Sequence, residues 1–222
     1  MGYFLIAGIL TVVGMVVSNR LKSKFSHYSK VPLSNGMSGK EVAETMLRHY
    51  GITDVKVLPA QGFLSDHYNP ANKTVNLSPE VYNGRSVAAA AVASHECGHA
   101  VQHATAYSML RFRSAMVPVV KFASMAQQYL FIGAFLFLNQ FPALMTFTLI
   151  TFVITTAFSF VTLPVEFDAS NRALKWLNQS NVASGSEHEG AKDALWWAAM
   201  TYVSAALSSL VILLYLFFAS RD

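Results

Sequence analysis

The chain has 222 residues, 53% of them hydrophobic and only 13% charged, with a formal net charge of +4 and a mean hydropathy of +0.37. Soluble domains carry about 25% charged residues, so this composition excludes an ordinary soluble globule and points to a membrane protein. The basic residues form no stripe suited to nucleic acid, and a lone cysteine, Cys97, excludes an intrachain disulfide.

Tyr3 to Val17 carries no charge, no Lys or Arg precedes it, and Arg20, Lys22 and Lys24 follow it. Residues 1–18 therefore read as a transmembrane anchor rather than a removable signal peptide. Residues 19–113 form a polar region with mixed helix and strand signals. Ser38 and Glu41 have capping-box spacing and open a helix ending near Gly51. Asp54–Leu58 and Lys73–Leu77 read as short strands. Ser86 is placed to cap an alanine-rich helix running to Ala106. An uncharged run of 44 residues, Phe122–Val165, follows. As one helix it would be about 66 Å long, twice the hydrocarbon thickness. Asn139-Gln140-Phe141-Pro142 divides it, so two transmembrane helices are predicted, 114–138 and 143–165. Residues 166–193 are a helix and loop, and 194–220 form a fourth span that Trp196 and Trp197 anchor at the interface.

Within the alanine-rich helix lies His95-Glu96-Cys97-Gly98-His99. Residues four apart on a helix share a face, so both imidazoles can reach one ion. Zinc accepts imidazole nitrogen and leaves a position for water, while a neighbouring glutamate takes the water's proton. The pattern thus predicts one Zn2+ per chain, with His95 and His99 as ligands and Glu96 as catalytic base. A buried helix with two satisfied histidines is the alternative without chemistry. Cys97 faces away from the metal and reads as a packing residue.

Two histidines do not complete a site. His103 continues their face but lies about 6 Å beyond His99 along the axis. Gln102 and Thr105 stand where the metzincin pattern requires Gly and His, which excludes that class. A carboxylate from elsewhere is favoured. Glu166 and Asp168 follow the third span, and two crossings separate them from His99, so they lie on its side of the bilayer. Either could be the third ligand, or both could be interfacial charges ending a membrane helix. Asp66, His67 and Tyr68 are further substrate-contact candidates, although a turn before Pro70 also accounts for them.

The chain resembles the bacterial membrane-bound neutral zinc metallopeptidases known as the YugP-like family. The resemblance is carried by Leu64–Pro70, Lys73–Ser78, Ala93–His103, Leu163–Ser170 and Ala199–Val203. It implies a gluzincin-like peptidase with a zinc-bound water and Glu166 as third ligand. It further implies a substrate in extended form paired with the strand Thr74, Val75, Asn76 and Leu77. Related gluzincins often carry an aspartate four residues after the ligand glutamate. Here that position is Ser170, so Ser170 or Asp168 is the expected support for a metal-bound histidine.

The expected fold is mainly α, with about four transmembrane helices and a small α+β, zincin-like portion at 19–113 that bears the motif helix. The expected function is a membrane-embedded zinc endopeptidase acting on peptides or membrane proteins, in contact with lipid. A site-2-type intramembrane protease and a silent scaffold with structural zinc are the alternatives. Fifteen of the sixteen Lys and Arg residues fall on the side bearing the motif. The positive-inside rule then places the active site in the cytoplasm of a bacterial cell membrane.

Overall fold

The computed structural model describes residues 2–137, 141 and 143–220. Among them the chain is mainly helical, with one small sheet. Helix α1 (Gly2–Tyr28) is followed by α2 (Gly39–His49), β1 (Lys56–Pro59), β2 (His67–Asn69), β3 (Thr74–Leu77), the single turn α3 (Pro79–Tyr82) and α4 (Val87–Ala104). Three long helices complete it, α5 (Ser108–Phe137), α6 (Ala143–Gln179) and α7 (Ser186–Ala219).

Local sequence signals set several boundaries. Ser38 accepts from the Glu41 amide while the Glu41 carboxylate accepts from the Ser38 amide, closing the capping box of α2. Ser86 accepts from the Ala89 amide and starts α4. The predicted 1–18 and 166–193 boundaries fall inside longer elements: α1 runs on to Tyr28 and α6 runs unbroken through residue 166 to Gln179.

Three helices, α1, α6 and α7, are long and apolar enough to cross a membrane. On α1 the large residues Phe4, Leu5, Ile9, Val12, Met15 and Val16 are all more than half exposed, as expected of a lipid-facing surface. α5 is not among the three; Lys121, Gln127 and Gln128 interrupt its apolar run. Four spans were expected, and three meet the criterion among the described residues. Most of the predicted turn at 139–142 (residues 139, 140 and 142) and Arg221 lie outside the described residues.

The sheet order is β1-β3-β2, with β1 parallel and β2 antiparallel to β3. This corrects the expectation that substrate pairs with Thr74–Leu77. β3 is the central strand, and both of its edges are already bonded to neighbours. β2 is an edge strand that the sequence analysis read only as a turn.

The core forms where α2, β3 and α4 meet the far end of α6. Val42, Met46, Val75, Leu77, Val81, Trp176 and Leu177 are fully or almost fully buried there, against a run of alanines on α4. Small side chains let the backbones come close. On α4 this is clearest at Gly98, where a Cβ would stand 2.5 Å from the Ala169 carbonyl oxygen of α6. Any side chain at 98 would push α4 away from α6.

Candidate metal centre

The close contact at Gly98 fixes what faces what across the α4–α6 seam. His95 and His99, one turn apart on α4, have ring centroids 4.8 Å apart. Glu166, almost completely buried on α6, brings its Oε2 within 3.4 Å of His95 Nε2 and 3.5 Å of His99 Nε2. These three residues form a group that could hold a metal ion. Donors about 2.0–2.1 Å from a shared tetrahedral zinc stand about 3.4 Å from one another, so the spacing fits.

The hydrogen-bond network fixes the histidine tautomer. Gln102, fully buried one turn beyond His99, donates its amide hydrogens to the Val165 carbonyl and to Asp168 Oδ2, each at 2.8 Å. Its own oxygen therefore faces His99 Nδ1, 3.0 Å away, and accepts that N–H. A neutral His99 then directs the bare lone pair of Nε2 at a carboxylate oxygen. Glu166 Oε2 is itself buried with no hydrogen-bond partner. Two lone pairs facing each other in a buried site call for a cation between them. Burial pushes the His99 imidazolium down, but Glu166, Glu96 and the bond to Gln102 outweigh it and hold the pKa above the ordinary histidine value.

His95 Nδ1 lies 3.0 Å from Ser170 Oγ, so a hydroxyl on α6 stands behind this imidazole. Asp168 lies on another face of α6, engaged by Gln102 and Arg172, and is outside the three-residue group.

Glu96 is buried beside the histidines, and its Oε2 accepts a 2.9 Å hydrogen bond from the Tyr68 amide on β2. The outward edge of β2 thus orients this carboxylate. Tyr68 is anchored in turn by its hydroxyl, 2.7 Å from His103 Nδ1. Burial pushes the Asp66 carboxyl above its usual range against two hydrogen bonds from Ser78. Asp66 thereby ties the loop before β2 to the end of β3.

A cavity of about 170 Å³ opens on the three donors. Asp66, His67, Tyr68 and Pro70 line it from the sheet side, and Leu110, Arg113, Ser114 and Tyr202 from α5 and α7. Of the residues expected to meet substrate, His67 and Tyr68 are on this wall, whereas Thr74 to Leu77 are not. Sequence reasoning missed Gly98, Gln102, Arg113 and Tyr202. Gln102 had a signal, since it sits at helical spacing from His99; Arg113 had none beyond its place among the basic residues on the motif side.

A profile of the family described as "Putative neutral zinc metallopeptidase" matches residues 3–221. The chain is 44% identical over 197 residues to the "Putative membrane protease YugP" of Bacillus subtilis (strain 168), covering 88% of this chain and 86% of the relative. No solved structure matches.

Proposed function

The chain belongs to the family described as putative neutral zinc metallopeptidases, and on that premise we propose that it is a membrane-embedded peptidase hydrolysing peptide bonds in the cavity beneath α4. The observation that carries this is the buried Glu166 oxygen, without a hydrogen-bond partner, facing two histidine nitrogens. His95, His99 and Glu166 would hold the zinc. When bound, zinc supplies Lewis acidity, polarising a carbonyl and making a water acidic enough to be used near neutral pH.

The remaining work falls to the chain's own side chains. Glu96, with Oε2 held by the Tyr68 amide, takes the proton of the attacking water at its other oxygen. The water oxygen bonds to the carbonyl carbon, whose π electrons move onto the carbonyl oxygen. Glu96 then delivers the proton to the amine as the C–N bond breaks. Gln102 holds His99 in the tautomer that keeps Nε2 free, and Ser170 orients His95. β2, rather than β3, is the strand along whose outward side an extended peptide would lie, with its Tyr68 amide already given to Glu96.

The cavity wall is part strand and part long helix, α7 being among the helices able to cross a membrane, which supports a reaction at the membrane boundary. A fourth crossing by α5 would make a hairpin with α6, and the basic residues flanking the spans favour a cytoplasmic site. α4 is encased by α2, α6 and α7, a setting unlike the lipid-spanning motif helix of a site-2-type protease.

Glu96→Gln tests the mechanism. The variant should keep its zinc, since Glu96 is no ligand, and lose about 10²- to 10⁴-fold in peptide hydrolysis. Wild-type cleavage by zinc-loaded Glu96→Gln would remove Glu96 from the reaction. Wild-type protein that binds zinc and cleaves no peptide would instead favour a structural metal.

A further inference from the structure

Arg113 is an oddly placed cation. It lies in the second turn of α5, and with Leu110 and Ser114 it forms one wall of the cavity. Its Nε is buried and has no hydrogen-bond partner. Its nearest carboxylate atom is Glu166 Oε1, 4.0 Å from Nη2. That is beyond hydrogen-bond distance, and it is the oxygen turned away from the histidines. The Phe158 ring, 5.9 Å from Cζ, backs the guanidinium. A guanidinium offers five N–H donors. Nε is the one buried without a partner, which costs free energy, while the side chain as a whole is 31% exposed and can turn its other donors to the cavity. Such a group is built to meet an anion arriving in the cavity.

We propose that Arg113 is a catalytic residue of the hydrolysis described above, binding the scissile carbonyl oxygen and stabilising the negative charge that gathers there as the water attacks. This rests on the peptidase reading. The distance favours the reacting carbonyl over a peptide's terminal carboxylate. Consecutive residues of an extended chain are about 3.3–3.6 Å apart, so an anchor for the terminus would stand at least a residue farther from the ligand cluster. A purely structural counter-ion to Glu166 would be expected within hydrogen-bond distance, whereas Arg113 stands 4.0 Å from Oε1 and the two imidazoles stand nearer, 3.4 and 3.5 Å from Oε2. Tyr202 shares this wall from α7.

The test uses purified full-length protein in detergent, loaded with zinc. Wild type, Arg113→Gln and Arg113→Lys are compared for zinc content and for kcat and KM on an internally quenched peptide with an amidated C-terminus. The affinity of a phosphinic peptide, whose tetrahedral anionic centre resembles the transition state, is measured beside them. Arg113→Gln should retain zinc and KM, lose about 10²- to 10³-fold in kcat, and lose a similar factor in phosphinic-peptide affinity. Arg113→Lys should recover part of both, and it carries the same comparison if Arg113→Gln does not fold. Unchanged kcat and phosphinic affinity would overturn the proposal. So would loss of zinc from either variant, which would make Arg113 a counter-ion of Glu166. A defect confined to peptides with a free C-terminal carboxylate would also overturn it, by making Arg113 a terminal anchor. Wild-type protein that cleaves nothing would instead remove the peptidase reading beneath it.

Discussion

Helices α1 and α4 are both predominantly apolar, yet they are opposite kinds of object. α1 is built from Phe, Leu, Ile, Val and Met, whose side chains stand exposed along most of its length. In α4 ten of the eighteen residues are Ala, Gly, Ser or Cys, and fourteen of the eighteen are buried. Side-chain size makes the difference. Large residues cover a helix with surface that lipid can solvate, whereas small ones let neighbouring backbones approach until their positions are fixed. The chemistry sits on the second kind of helix, where the α4–α6 distance decides whether three donors converge.

If convergence across that seam makes the site, the largest effect comes from removing the α6 contribution. Glu166→Ala should weaken zinc binding by more than the roughly 10- to 100-fold typical of losing a group that only supports a ligand. Asp168→Ala, which releases Gln102 and Arg172, should cost about 10-fold or less. Zinc retained after dialysis against a mild chelator measures both, and loss from Asp168→Ala alone would move the third ligand by two residues.

Glycine substitutions put the comparison itself at risk. Gly98→Ala should destabilise the protein by about 1–3 kcal/mol and lower zinc occupancy, because its Cβ meets the Ala169 carbonyl. Gly14→Ala on α1, which meets nothing within 4 Å, should change stability by no more than about 1 kcal/mol. Thermal unfolding of the two variants side by side is the check. Equal effects would mean that the tight seam is not what distinguishes the helices.

The smallest effect is an absence of reaction. Cys97 is fully buried on α4, and burial pushes its thiol well above the usual range, so the thiolate is scarce near neutral pH. Thiol reagents should leave it unmodified in the folded protein, as mass spectrometry can show. A cysteine placed at exposed Lys30 should react, but with an impermeant reagent only after cells are opened if that side is cytoplasmic. Labelling of Lys30→Cys in intact cells would reverse the orientation.

How much was readable in advance follows from how far each signal reaches along the chain. The His95–His99 spacing, the capping box at Ser38 and Glu41, and the long apolar helices are local patterns, so periodicity reveals them. Glu166 was within reach because counting crossings relates distant segments without knowing their packing. Choosing between Glu166 and Asp168 was not, since the faces they present depend on how α6 lies against Gly98. Arg113 meets Glu166, and Gln102 meets Val165 and Asp168, across some 50 to 70 residues of sequence, which no spacing encodes; only the contact of Gln102 with His99 is local. β2 is too short, at three residues, to show alternation. The central position of β3 depends on that missed strand.

α6 carries one further consequence. It passes from the apolar layer into the buried core of the 19–113 region without a break, and Glu166 sits along it, two residues after Pro164. Proline has no amide hydrogen, so the Phe160 carbonyl loses its usual partner and bending there is cheap. A bilayer thicker or thinner than the protein's apolar belt tilts its helices. Such a tilt would be taken up at Pro164, on the lipid side of the ligand, while Val165 to Leu177 stay fixed by Trp176 and the Ala169 contact. The helix can thus follow the membrane's changing thickness without moving the carboxylate away from its histidines.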